Sequence, residues 1–232
     1  MARFMCALVI YDAVRQEILP AMGDDAPEIV WEPTAALMKR IEAGETADGL
    51  FAIDGPMDGL VARGALDAST RRPVVQAEFG LALASGMDAP ALTNAADMKA
   101  LLLSVPSIVY SRSGASGIYF EKLIDRLAVG DAVRAKSIVI PHGLTAEKVR
   151  DGEAVLAIQQ MSELRAVEGI ETPVPFPDDC QQKTDFSAAV FTDASDRAGA
   201  LAFIEALTSP AAGKAYADRG LGLRFQSGSG SD

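Results

Sequence analysis

Short apolar runs alternate with amphipathic segments from one end of this chain to the other. That alternation constrains the fold more than any other feature, because strands spaced by helices are the pattern of an α/β protein. Residues 4–10, 28–32, 49–53, 107–110, 137–140, 154–158 and 187–191 read as short strands. Helices are expected over 13–22, 35–42, 56–63, 95–103, 117–127, 145–150 and 198–207, with a last one opening at Ser209-Pro210 as N-cap and N1. Thr34 is placed to cap the helix over 35–42, and Thr93 or Asn94 the one over 95–103. Such an order predicts mainly parallel sheets flanked by helices, with functional groups at the C-terminal ends of strands. The long apolar run 74–84 is a natural place for the chain to cross from one lobe to another.

Charge and composition narrow the function. There are 21 basic against 32 acidic residues, a formal net charge of -11. A surface so negative repels nucleic acid and anionic lipid. No apolar run reaches the ~20 residues a membrane-spanning helix needs, so membrane insertion is not expected. A bound anion would need a local reversal of the field, which gives weight to any arginine or helix N-terminus in a strand-end loop. The single histidine and the absence of metal-ligand spacing speak against a metal site, and no motif implies a cofactor. Cys6 reads as apolar filler within the first strand; a disulfide to Cys180 is neither required nor excluded. The first ten residues lack the charged start and long apolar stretch of a leader. The expected location is therefore cytoplasmic as the sequence stands, and periplasmic if a leader has been removed. A Ser-Gly-rich tail over 227–232 reads as flexible.

Four segments in order carry a resemblance to a known family: LMKRIEAGETADGLFAID from Leu37, SRSGASGIYFEKLIDRL from Ser111, VRDGEAVLAIQQMSEL from Val149 and FIEALTSPAAGKAYADRGLG from Phe203. Together they resemble the molybdate-binding branch of type-2 periplasmic solute-binding proteins, a scaffold that also includes an aconitate isomerase. The resemblance implies two α/β lobes, one from residues 1–80 plus 186–232 and the other from 81–185, with a ligand cleft between them. It also implies binding of a small anion, with presentation to an ABC importer if the chain is exported. Where the family's first loop usually offers a serine, this chain reads Val9-Ile10-Tyr11-Asp12, and its second loop reads Glu32-Pro33-Thr34-Ala35. Loss of neutral hydroxyl donors turns the expectation from molybdate toward a carboxylate-bearing anion, a di- or tricarboxylate.

The candidate ligand residues follow from these loops. Arg112 can hold a carboxylate bidentately. Ser111, Ser113 and Ser116 surround it in a small-residue turn that feeds a helix, an arrangement suited to anions. Tyr11 and Thr34 follow the first and second strands of the first lobe, and Asp12 is expected to cap the next helix. Gln159 and Gln160 follow the 154–158 strand and can donate amide protons. Gln181, Gln182 and Lys183 are assigned to the hinge region. Three readings stay open: a binder of a carboxylate-bearing anion, a cofactor-independent isomerase of an unsaturated polycarboxylate, and a molybdate binder. An isomerase needs a base, for which His142, alone in Pro-His-Gly, is the expected residue, with Tyr11 or a serine as relay.

Overall fold

A computed structural model describes residues 1–87 and 91–226; the Ser-Gly tail lies outside the described residues. The chain divides into two compact units, Met1–Ala77 with the segment from Thr184 onward, and Glu78–Lys183.

The first unit is built on β1 (Arg3–Cys6), β2 (Glu28–Trp31), β3 (Gly49–Ile53), β4 (Arg72–Ala77), β10 (Thr184–Val190) and β11 (Gly222–Leu223), ordered β11-β4-β10-β3-β1-β2. Strands β1, β2 and β3 run parallel because a helical connection separates each from the next. Strand β10 is antiparallel to both neighbours. The chain leaves this unit at Ala77 and returns at Thr184, and these two residues are paired, so the outgoing and returning strands must oppose one another. The sheet is mixed for that reason, where a mainly parallel one was expected. Both faces are covered, so consecutive strand residues feed different cores. Phe4, Phe51, Phe186, Phe203 and Tyr216 pack on one side, while Met5, Leu50, Ala52, Leu37 and Met57 pack on the other. Phe203 meets Phe4 edge-to-face, with ring centroids 4.8 Å apart.

The apolar run 4–10 is not one strand. Strand β1 stops at Cys6, a 3₁₀ turn covers Leu8–Ile10, and helix starts at Tyr11. Two α turns, α1 (Tyr11–Ala13) and α2 (Leu19–Met22), flank a π turn over Val14–Ile18. Pro20 accounts for the wide turn: it has no amide for the carbonyl four residues back and its ring crowds that carbonyl. Around the sheet lie α3 (Thr34–Glu42), α4 (Asp54–Ala62), and later α10 (Arg197–Leu207) and α11 (Pro210–Asp218). Ser209 caps α11 as the sequence predicts, accepting from the Ala212 amide at 3.1 Å. Asp12 caps nothing; it sits in the first turn of α1 and pairs with Arg219 at 2.6 Å.

The second unit holds β5 (Phe79–Leu83), β6 (Ile108–Ser111), β7 (Ser137–Ile140), β8 (Leu156–Gln160) and β9 (Val174–Pro175), ordered β7-β6-β8-β5-β9. Its helices are α5 (Ala95–Ser104), α6 (Ala115–Arg126), α7 (Gly130–Arg134), α8 (Thr145–Arg150) and α9 (Met161–Arg165). Strand β6 is parallel to β7 and β8, whereas β5, which brings the chain in, is antiparallel to β8. The single residue Glu78 therefore separates two strands in different sheets, where the run 74–84 reads as one. Asn94 caps α5, accepting from the Ala96 and Asp97 amides, and Asp97 in turn holds Thr93. The Gln181 side chain serves Phe79 as a strand neighbour would: it accepts from the Phe79 amide and donates to its carbonyl, both at 2.9 Å. Lys183 pairs with Glu78 at 2.8 Å. Cys6 and Cys180 are both buried and free, one in each unit.

Helix α6 leaves β6 by passing directly over it. A Cβ on Gly117 would overlap the Ser111 carbonyl, and one on Gly114 would overlap the Ser111 hydroxyl oxygen. Gly59, exposed within α4, has nothing near the position of a Cβ. We therefore expect Gly117→Ala to destabilise the protein by ~1–3 kcal/mol through overpacking. Gly59→Ala should raise stability by ~0.5–1 kcal/mol through helix propensity. Urea denaturation of both variants checks these opposite signs.

Candidate functional site

In the first unit, the parallel strands β1 and β2 end level at Cys6 and Trp31, and β3 runs two residues beyond Phe51, the partner of Cys6. Their C-terminal edge gathers Tyr11 and Thr34. The Tyr11 ring stands edge-on to Trp31 with centroids 5.1 Å apart, and the Arg15 guanidinium lies 5.2 Å from the Tyr11 ring centre. Arg15 also donates to the Tyr11 hydroxyl oxygen, which leaves the phenolic proton free to be donated. Thr34 does not cap α3. The N-cap is Pro33, and the buried Thr34 hydroxyl accepts from the Ile53 amide at 3.3 Å, tying β3 to the helix. Helix α3 starts with no side-chain cap and no acidic residue in its first turn. Its first-turn amides, which have no partners inside the helix, keep their positive dipole end uncompensated.

In the second unit, the same kind of edge forms at the ends of β6, β7 and β8. Ser111 pairs with Ile140, and Ile108 with Leu156; three residues on from the latter pair come Ser111 and Gln159. Ser111, Arg112, Ser113 and Ser116 follow β6, His142 follows β7, and Gln159 and Gln160 finish β8, so the expected residues of this unit share one edge. The Arg112 amide donates to the Ile140 carbonyl at 2.8 Å, extending the ladder by one bond, while its side chain is exposed. No hydrogen bond or ion pair engages its guanidinium among the described residues. The Ser113 hydroxyl donates to the Pro141 carbonyl at 2.7 Å and so joins the loops after β6 and β7. Ser111 and Ser116 are buried beside the N-terminus of α6, which has neither a side-chain cap nor an acidic residue in its first turn. Gly114 takes the N-cap place.

Gln159 is committed internally. Its carbonyl oxygen accepts from the Thr145 amide at 2.7 Å and the Thr145 hydroxyl at 2.8 Å, and its amide donates to the Gly143 carbonyl at 2.9 Å. It positions the His142 loop and the start of α8. His142 itself is exposed and makes no hydrogen bond or ion pair among the described residues. Gln160 is 5% exposed, and its side-chain oxygen is buried without a hydrogen-bond partner.

Next to these two glutamines stands a residue that the sequence reading passed over. Glu163, on α9, is 9% exposed and is served by the Gln160 backbone N–H and the Gln159 side chain. Burial pushes its carboxyl up to about 7, with those two hydrogen bonds pulling in the opposite direction. Arg15 is the other residue passed over. Its only signal is spacing, one helical turn beyond Tyr11. Among the described residues no group of three or more His, Cys, Asp or Glu side chains is placed to hold a metal ion. No helix among them is long and apolar enough to cross a membrane.

Residues 26–222 match the family of bacterial extracellular solute-binding proteins. The chain belongs to that family. This solute-binding protein is also 32% identical over 203 residues to an aconitate isomerase of a Pseudomonas species, covering 87% of the present chain and 74% of that protein. Its fold is that of the periplasmic molybdate-binding protein of Azotobacter vinelandii, with a TM-score of 0.79 at 15% identity over 96% of this chain and 99% of that one. The sulfate-binding protein SubI of Mycobacterium tuberculosis H37Rv follows with a TM-score of 0.66 at 16% identity, covering 95% and 85%. Family and fold agree: this chain is an α/β solute-binding protein.

The raised Glu163 pKa links stability to pH. The folded state holds the proton more tightly than the unfolded chain, so the contribution is present at low pH and is lost as pH rises from the usual glutamate range through about 7. Relative to the parent, Glu163→Gln should gain roughly 2–3 kcal/mol between pH 5 and pH 8, as that shift implies. Urea denaturation at the two pH values measures it; a constant difference would contradict the burial of an ionisable carboxyl here.

Proposed function

We propose that this solute-binding protein takes up an unsaturated di- or tricarboxylate and isomerises it by moving a proton between allylic carbons. The observation that carries this reading is the identity to an aconitate isomerase, which extends over 87% of the chain. Fold likeness cannot choose a chemistry in this way. The local geometry supports it. Arg112 offers an exposed guanidinium that pairs with no carboxylate among the described residues, suited to a bidentate clamp. Ser111 and Ser116 with the first-turn amides of α6 add neutral donors and a favourable dipole. These groups fit a carboxylate that must accept negative charge while the double bond moves. In the first unit, Tyr11 with Arg15, and Thr34 with the start of α3, are assigned to the same class of ligand.

A second reading, binding of the same anion without turnover and its delivery to an ABC importer, is favoured by the family, whose members are extracellular solute-binding proteins. Membership in that family also supports the periplasm over the cytoplasm as the location.

The test is thermal shift against cis- and trans-aconitate, citrate, molybdate, sulfate and phosphate, followed by proton NMR on any acid that stabilises. Stabilisation by an aconitate isomer together with its conversion is expected. Stabilisation without conversion leaves the second reading, and a response to molybdate alone overturns both. Arg112→Ala should weaken aconitate binding by at least ~1.5 kcal/mol, the loss typical of a charged hydrogen bond, as measured by calorimetry. Unchanged affinity would remove the clamp.

A further inference from the structure

An allylic proton shift needs a base that removes a proton from one carbon and returns it to another. The expected base, His142, stands exposed in its loop with no group among the described residues to orient it. Glu163 differs on each count. It lies at the strand-end edge where Arg112, Ser111 and Ser116 collect, one helical turn beyond the last residues of β8. It is oriented by two donors, the Gln160 amide and the Gln159 side chain. The carboxamide of Gln159 is itself held by Thr145 and Gly143. At the end of the same strand, the Gln160 side-chain oxygen is buried with no hydrogen-bond partner among the described residues.

We propose that Glu163 is the catalytic base of this protein, its carboxylate taking the allylic proton of an unsaturated polycarboxylate and returning it at the far end of the allyl system. The assignment rests on the isomerase reading above. The step balances without a co-reactant. A Glu163 carboxylate oxygen accepts the proton as the C–H bond breaks, and that electron pair forms the new double bond. The former π pair moves toward the substrate carboxylate held by Arg112, giving a dienolate. The far carbon then takes the proton from Glu163, which regains its charge.

The environment suits both directions of transfer. Helix α9 packs on β5 and β8, neither of which carries a charged residue. On α9 the other charged side chain, Arg165, is exposed. Burial therefore sets the proton affinity of Glu163, and it brings the group to about 7, near the optimum for a base that must also act as an acid.

The test compares the full chain with Glu163→Gln and Glu163→Asp, following interconversion of cis- and trans-aconitate by proton NMR and binding of each isomer by thermal shift. Glu163→Gln should keep the thermal shift and lose turnover by about 10²- to 10⁴-fold, the usual contribution of a general base. Glu163→Asp, a carboxyl withdrawn by one methylene, should restore part of the rate with a displaced pH midpoint. For the parent, kcat/KM should rise with pH and level off above about 7. Turnover by Glu163→Gln within tenfold of the parent, or a parent profile flat from about pH 6 to 8, would overturn the assignment while leaving the isomerase standing. A parent chain that binds aconitate but converts neither isomer would overturn the isomerase reading and the base with it.

Discussion

One buried carboxamide fixes the polar edge of the second unit. Gln159 ends a strand inside the protein, where an unsatisfied amide would cost ~1–3 kcal/mol. Its hydrogen bonds are all met within the unit, by Thr145, Gly143 and Glu163. Satisfying that one side chain sets the loop after β7, starts α8 and orients the carboxyl on α9. Two further bonds, from the Arg112 amide to Ile140 and from the Ser113 hydroxyl to Pro141, fasten the loop after β6 to the same body. Three loops that are separate in sequence thus behave as one braced surface. Gln159→Leu would remove the side-chain bonds to Thr145 and Gly143 while leaving the two bonds that fasten the loop after β6.

The scaffold explains why such a surface can change chemistry. Parallel strands ending within two residues of one another, each followed by a helix, place loop amides and helix N-termini on a common edge in each unit. Helices α3 and α6 begin without a side-chain cap, unlike α5, α10 and α11, which are capped by Asn94, Asp196 and Ser209. The starts of α3 and α6 therefore keep an uncompensated positive dipole end in a chain of net charge -11.

Much of the framework is legible in the sequence because periodicity and caps act locally. Strands β3 and β7, helix α8, and the Asn94 and Ser209 caps fall where the pattern puts them. The end of β1 is not legible: residues 7–10 stay apolar because they are buried, whether in a strand or a 3₁₀ turn. The π turn before Pro20 and the split of 74–84 at Glu78 depend on where the chain goes next, and local pattern does not hold that information. Arg112 and its serines can be read directly, since a cation in a small-residue turn is conspicuous in an acidic chain. Glu163 cannot. In Gln-Gln-Met-Ser-Glu it looks like an ordinary polar residue, and only the packing of α9 on β5, with Met161 seated where Gly80 has no side chain, buries it. Gln159 looks like a ligand donor for the complementary reason, that the partners consuming its donors lie on other elements.

The most direct measurement is a crystal structure of the chain with trans-aconitate bound. The account predicts one substrate carboxylate in bidentate contact with the Arg112 guanidinium, and an allylic carbon against a Glu163 carboxyl oxygen. A tricarboxylate seated away from Arg112, or one whose allylic carbons are separated from Glu163 by intervening side chains, would contradict it.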